Sequence, residues 1–286
     1  MKFFTLIFFS LFILFFESSI VYSNENELYI SGNLTNLTNY ESSVADVEIT
    51  LHISSLETES QTFSVLTNVE GNFEFKDVPY LENSLYGVSL IYQDAIYVES
   101  VIFDQKVPLD IEINVYDSSS SDDSIIIQNA SMVFDNINSE LQIISVLEVV
   151  TILNDSLVTY VPGEGPMDLL RFGLPADALN LNVDTNIFDS NYVQVDKGFA
   201  LIASILPGSH ELTYSYEIPY QNSIFEYIKN WRYGANNLRI IIPSSDIVLN
   251  SNFSDPVVDT EIGGRVYSVL ETQNVAKGFE STIEIK

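Results

Sequence analysis

Between Val47 and Ile53 the chain alternates apolar and mostly polar residues, with Val47, Ile49, Leu51 and Ile53 on one side. Period two is the signature of a strand with one face buried. Similar segments recur at residues 28–34, 62–66, 72–75, 86–92, 96–103 and 109–116, giving seven short strands separated by turn signals. That spacing predicts a β-sandwich. Longer runs follow at residues 125–134, 141–153, 169–174, 199–205, 210–220, 238–242, 266–271 and 279–285, clearest where Leu212, Tyr214, Tyr216 and Ile218 alternate with Thr213, Ser215 and Glu217. Pro162, Pro166, Pro175, Pro207 and Pro219 fall between or at the ends of these runs, where a missing amide donor does least harm. Only residues 223–231 suggest a helix, and a short one. The expected fold is all-β: two tandem antiparallel sandwiches, the second immunoglobulin-like in architecture.

Two stretches break the alternation. Lys2 and the apolar run from Phe3 to Phe16, interrupted only by Thr5 and Ser10, read as the first two regions of a secretory signal peptide with a cleavage site at Val21-Tyr22-Ser23. The run is short for a spanning helix. The alternative is an uncleaved anchor extended through Tyr22. Residues 117–123, Asp-Ser-Ser-Ser-Ser-Asp-Asp, have nothing to bury and read as a linker. The expected organisation is therefore a signal peptide at 1–23, a first sandwich at 24–116, a linker at 117–123 and a second sandwich at 124–286. No later segment is apolar enough to span a membrane, so no transmembrane helix is expected in the mature chain; a tether beyond Lys286 stays open.

Composition narrows the function. With 40 acidic against 11 basic residues the net charge is −29, and Lys2 and Glu17 cancel within the signal peptide. Such an excess repels phosphate backbones and anionic lipids, so nucleic acid is excluded as a partner. The absence of cysteine excludes disulfides and thiolate metal sites, leaving the apolar core to hold an exported chain together. Two histidines, His52 and His210, stand in different sandwiches. His52 faces away from the apolar side of its strand, and His210 sits at a strand entrance. No Gly-x-Ser-x-Gly elbow, phosphate-binding glycine loop or clustered metal ligand set occurs. No catalytic residue, cofactor or metal is expected. The linker lacks the glycine and distal glutamate of a calcium-binding loop. Several Asn-x-Ser/Thr triplets, at Asn33, Asn36, Asn129, Asn154 and Asn252, match the glycosylation sequon.

The densest aromatic stretch is residues 214–233, with Tyr214, Tyr216, Tyr220, Phe225, Tyr227, Trp231 and Tyr233. Exposed rings beside Gln221, Asn222 and Asn230 form a platform for sugars or for a protein. Tyr227, Trp231 and Tyr233 are the candidate contacts; the competing reading makes the stretch core plus ordinary loop.

One string is specific: Thr67-Asn68-Val69-Glu70-Gly71-Asn72-Phe73-Glu74-Phe75, followed by Val78-Pro79. Gly71 permits the positive φ of a tight turn, and Phe73 and Phe75 then share one face of the next strand. The string resembles the carboxypeptidase regulatory-like (transthyretin-like, prealbumin-type) fold, whose turn reads Thr-Asp-x-x-Gly-x-Phe-x-Phe. Gly32-Asn33-Leu34-Thr35, residues 44–51 and Tyr86-Gly87-Val88-Ser89-Leu90 are similar to other strands of that family, and the resemblance covers about residues 28–116. Asn68 replaces the usual aspartate. The resemblance implies a structural or binding accessory without catalytic residues. The second module resembles β-domains that follow such modules in exported bacterial proteins. Together these readings point to a secreted, periplasmic or cell-surface binding or scaffolding protein whose partner is a protein or glycan of the envelope. The alternatives are a carbohydrate-binding or carbohydrate-active protein using residues 214–233, and a calcium-stabilised surface adhesion module.

Overall fold

The computed structural model describes all residues except 1–26, 104–108, 139, 222–223, 247 and 254–256. The signal peptide lies outside the described residues. Among those described, no helix is long and apolar enough to cross a membrane.

The seven segments of the first half form β1 (Glu27–Asn36), β2 (Glu48–Ser55), β3 (Gln61–Leu66), β4 (Asn72–Pro79), β5 (Ser84–Tyr92), β6 (Ala95–Val101) and β7 (Leu109–Val115). They build two facing sheets, ordered β4-β1-β7 and β3-β2-β5-β6. Alternation explains the packing: Ile49, Leu51 and Ile53 of β2 and Tyr86, Val88, Leu90 and Tyr92 of β5 all enter one core with Ile30, Leu34, Phe73 and Phe75. The turn before β4 forms as its sequence predicts. Gly71 has φ of 82°, and Phe73 and Phe75 lie on the buried face with ring centroids 6.0 Å apart. Asn68 serves where aspartate is usual, its Oδ1 accepting from the amides of Glu70 and Asn72 at 3.0 and 2.9 Å.

The rest of the chain contributes β8 (Ser118–Ser119), β9 (Ile125–Asn138), β10 (Ile143–Asn154), β11 (Thr159–Tyr160), β12 (Leu170–Gly173), β13 (Leu179–Thr185), β14 (Asn191–Val195) and β15 (Gly198–Ile202). After these come β16 (Gly208–Pro219), β17 (Phe225–Trp231), β18 (Ala235–Pro243), β19 (Val248–Ser251), β20 (Val257–Ile262), β21 (Arg265–Val275) and β22 (Phe279–Ile285). A seven-stranded sheet, β13-β16-β10-β9-β18-β21-β20, shares a second core with two three-stranded sheets, β12-β15-β14 and β17-β22-β19. Pairings are antiparallel except β1–β7, β9–β18 and β8–β11, which run parallel. The described chain is thus nearly all β, its sheets packed as β-sandwich as the patterning predicts, with these three parallel pairs departing from the antiparallel expectation.

The expected helix does not form. Residues 225–231 form strand β17 rather than a helix, with Tyr227, Lys229 and Trp231 buried and Glu226, Ile228 and Asn230 exposed. A lysine at an inward position hid the period of two.

Residues 117–123, expected as a linker, are stitched on both sides. Asp117 Oδ1 accepts from Asn36 Nδ2 at 2.8 Å and from Gln93 Nε2 at 2.9 Å, both in the first half. Ser118 and Ser119 pair with Thr159 and Tyr160, while Asp122 meets Arg232 at 3.1 Å. Nearby, the buried hydroxyls of Tyr97 and Thr159 lie 3.0 Å apart, and Val161 and Leu206 pack against the first core. These contacts fix how the two sandwiches meet.

Candidate functional site

The three aromatic contact candidates are buried: Tyr227 is 0 %, Trp231 5 % and Tyr233 5 % exposed. The expectation that they meet a sugar or partner at the surface is therefore corrected. The cause is the strand register of β17, which turns residues 227, 229 and 231 inward. Trp231 Nε1 donates to Ser281 Oγ at 3.0 Å, and the Tyr233 hydroxyl accepts from the Arg171 amide at 3.0 Å.

What β17 carries inward is a closed polar cluster. Lys229 Nζ donates to Glu148 Oε1 and Oε2 at 2.6 and 2.7 Å and to the Tyr214 hydroxyl at 2.9 Å, using all three of its donors. Tyr214 and Tyr216 donate to the two oxygens of Glu148 at 2.7 Å each, and the Tyr216 and Tyr227 hydroxyls lie 2.6 Å apart. Lys229 Nζ also sits 4.7 Å from the centroid of the Trp231 ring, within cation–π range. Burial pushes the hydroxyls of Tyr214, Tyr216 and Tyr227 well above the usual tyrosine range, and the adjacent Glu148 adds to this. Burial lowers Lys229, and Glu148 opposes the shift. Desolvating two charges is costly, and it is offset only when every donor and acceptor is used, as here. The adjoining cavity, of ≈ 20 Å³, is the size of a water molecule.

The surface offers a different site, where the outer face of the β3-β2-β5-β6 sheet meets the second sandwich. On that face Thr50, Gly87 and Ser89 form a floor of small residues, walled by Ile91, Ile96 and Val98. Phe188, in the loop between β13 and β14, stands over it and is 62 % exposed. Its loop is held by the buried Ile187, by Thr185 Oγ1 accepting from the Ile187 amide at 3.2 Å, and by Asn186 Oδ1 accepting from the Glu211 amide at 3.0 Å. Two cavities, of ≈ 690 and ≈ 330 Å³, share Ile96, Val98 and Phe188 and so form one groove. His52 lines the larger part and His210 the smaller. Nothing in the patterning of the chain connects them. Among the described residues, the lining contains Glu48, Asp94 and Asp189 and no lysine or arginine.

The groove's chemistry suits binding. His52 Nε2 lies 2.7 Å from Ser89 Oγ, the distance of a nucleophile–base pair. Ser89, however, is mid-strand in β5, paired with Thr50 on one side and Val98 on the other, so the local backbone amides belong to sheet ladders and make no oxyanion hole. His210 Nε2 donates to the Leu206 carbonyl at 2.7 Å. Among the described residues, no group of three or more His, Asp or Glu is placed to hold a metal ion.

No protein-family model matches the sequence, and comparison with curated proteins gives no match. Among solved structures, an M1 zinc metallopeptidase from Deinococcus radiodurans is 12% identical with a TM-score of 0.36, over 56% of this chain and 42% of that one. The chain thus spans less than half the length of that neighbour. The RrgB pilus protein of Streptococcus pneumoniae is 9% identical with a TM-score of 0.21, over 91% of this chain and 62% of that one. The major pilin SpaA of Corynebacterium diphtheriae is 12% identical with a TM-score of 0.23, over 86% and 69%. At these TM-scores the likenesses assign no activity.

Proposed function

We propose that this chain is a non-catalytic binding or scaffolding protein acting outside the cytoplasm, and that the groove between its two sandwiches receives a protein partner. The observation that carries this reading is the groove itself: both sandwiches line it, and Ile91 and Phe188, 66 % and 62 % exposed, stand uncovered at its edge. Exposed apolar surface concentrated in a concavity is the usual mark of a binding site. The apolar signal-like start and the acidic, cysteine-free composition support a secreted, periplasmic or cell-surface location. The turn at Gly71 supports kinship of the first sandwich with carboxypeptidase regulatory-like modules, which is a fold-level analogy and supplies no ligand. With Tyr227, Trp231 and Tyr233 buried, a sugar platform on residues 214–233 keeps only the half-buried Tyr220 and Phe225, and a protein is the better-supported partner.

The test is selection of a random peptide library on the whole chain, with the selected peptides then assayed on Phe188→Asp. Selected binders that lose affinity for the variant support the reading. Binders indifferent to the substitution place the binding surface elsewhere.

A further inference from the structure

Strand β6 ends the β3-β2-β5-β6 sheet, and the geometry of its hairpin shows which backbone groups it leaves open. Gln93 and Asp94, the two turn residues, have φ of 47° and 65°. A two-residue turn with positive φ at both positions closes on a hydrogen-bonded pair, here Tyr92 with Ala95. In an antiparallel ladder such pairs alternate with non-bonded ones. Ala95, Tyr97, Glu99 and Val101 therefore point their N–H and C=O groups at β5. Ile96, Val98 and Ser100 point theirs away from the sheet. Among the described residues, no backbone hydrogen bond from another part of the chain reaches these three. Their side chains lie on the outer face, where Ile96 and Val98 wall the groove.

An uncovered edge that carries valine and isoleucine, with no proline or lysine, is a template for another strand. Resting on the binding reading above, we propose that an extended, cationic and apolar segment of a partner protein adds to β6 as a further strand, through the N–H and C=O groups of Ile96, Val98 and Ser100. The backbone supplies pairing, and alternate side chains supply selectivity. Apolar side chains on the groove side of the added strand meet Phe188 and Val98. Lysine or arginine side chains meet Asp94 and Asp189 at the groove and Glu99 on the alternate side of β6, with no lysine or arginine among the described lining residues to repel them. Charge also argues against a second copy of this chain as the added strand, because each copy carries −29 and would set Asp94 and Glu99 against like charges.

The probe is a synthetic peptide of alternating lysine and valine, titrated into the whole chain. A glutamate–valine counterpart and a lysine–valine peptide N-methylated at alternate amides serve as comparisons. Val98→Pro removes an outward N–H while sparing the β5 ladder, and the N-methylated peptide tests the same pairing without altering the protein. Expected are slowed hydrogen exchange at the amides of Ile96, Val98 and Ser100, and affinity at least ~10-fold weaker for Val98→Pro and for the N-methylated peptide, a loss of ~1.4 kcal/mol. No binding of the lysine peptide, or preference for the glutamate peptide, overturns the assigned chemistry. Binding lost on Phe188→Asp but unaffected by Val98→Pro and by N-methylation overturns strand addition and leaves the groove standing. Binding indifferent to all three overturns both. Self-association of the chain that Val98→Pro abolishes assigns the edge to a second copy and equally overturns the proposal.

Discussion

Lys229 Nζ lies 2.6 Å from Glu148 Oε1 and 2.7 Å from Oε2, and both residues take inward positions on facing strands of the second sandwich. Both side chains are buried, 2 % and 1 % exposed. Removing one leaves the other buried and unpaired, which costs about 3–5 kcal/mol. Lys229→Met should therefore lower unfolding stability by about that amount in denaturant titration. The double variant Glu148→Leu, Lys229→Met should recover part of the loss. A single variant with wild-type stability would contradict the geometry.

The tyrosines around this pair set the alkaline limit. Tyr214, Tyr216 and Tyr227 are held well above the usual range by burial, with Glu148 adding to the effect. Unfolded tyrosines ionise at about pH 10. Above that the unfolded chain releases protons that the native state keeps, so stability falls as pH rises, by up to about 1.4 kcal/mol per pH unit for each tyrosine. The lowered Lys229 acts in the opposite direction only below its unfolded value of about 10.5 and adds no slope beyond it. Phenolate absorbance should show a group of tyrosines ionising only with unfolding; a titration complete while the protein stays folded would contradict their burial.

Gly71 is a backbone requirement. Its φ of 82° is one that other residues rarely adopt, and a Cβ there would stand 2.3 Å from the Leu34 carbonyl oxygen. Gly71→Ala should destabilise the first sandwich by about 1–3 kcal/mol. Thr67→Val should cost about as much, because Thr67 Oγ1 donates to the Val44 carbonyl at 2.6 Å and accepts from the Val47 amide at 2.9 Å within the core.

Trp231 is the chain's single tryptophan and is 5 % exposed. Its fluorescence should be that of a buried indole, unchanged by soluble envelope glycans and shifted to the red on unfolding. A glycan-induced change in the folded protein would restore the surface reading that burial overturns.

The sequence announces its strands wherever inward positions are apolar, as in β2 and β16. It conceals β17, because Tyr227, Lys229 and Trp231 place a charge in the inward row, and it makes the aromatics beside that charge look exposed. A usable signal existed in Glu148, which holds an inward position between Val146 and Val150 and implies a buried partner. The groove had no such signal. Ile91, Ile96 and Val98 belong to one sandwich and Phe188 to a loop in the other, and docking through contacts such as Tyr97 with Thr159, and Val161 and Leu206 against the first core, brings them together.

The most direct measurement is hydrogen exchange across the whole chain, free and saturated with a library-selected peptide. Binding in the groove predicts slowed exchange in β5, β6 and the loop bearing Phe188 together, from both sides of the junction. Slowing confined to one sandwich, or to strands remote from Val98 and Phe188, would contradict a binding site shared by the two.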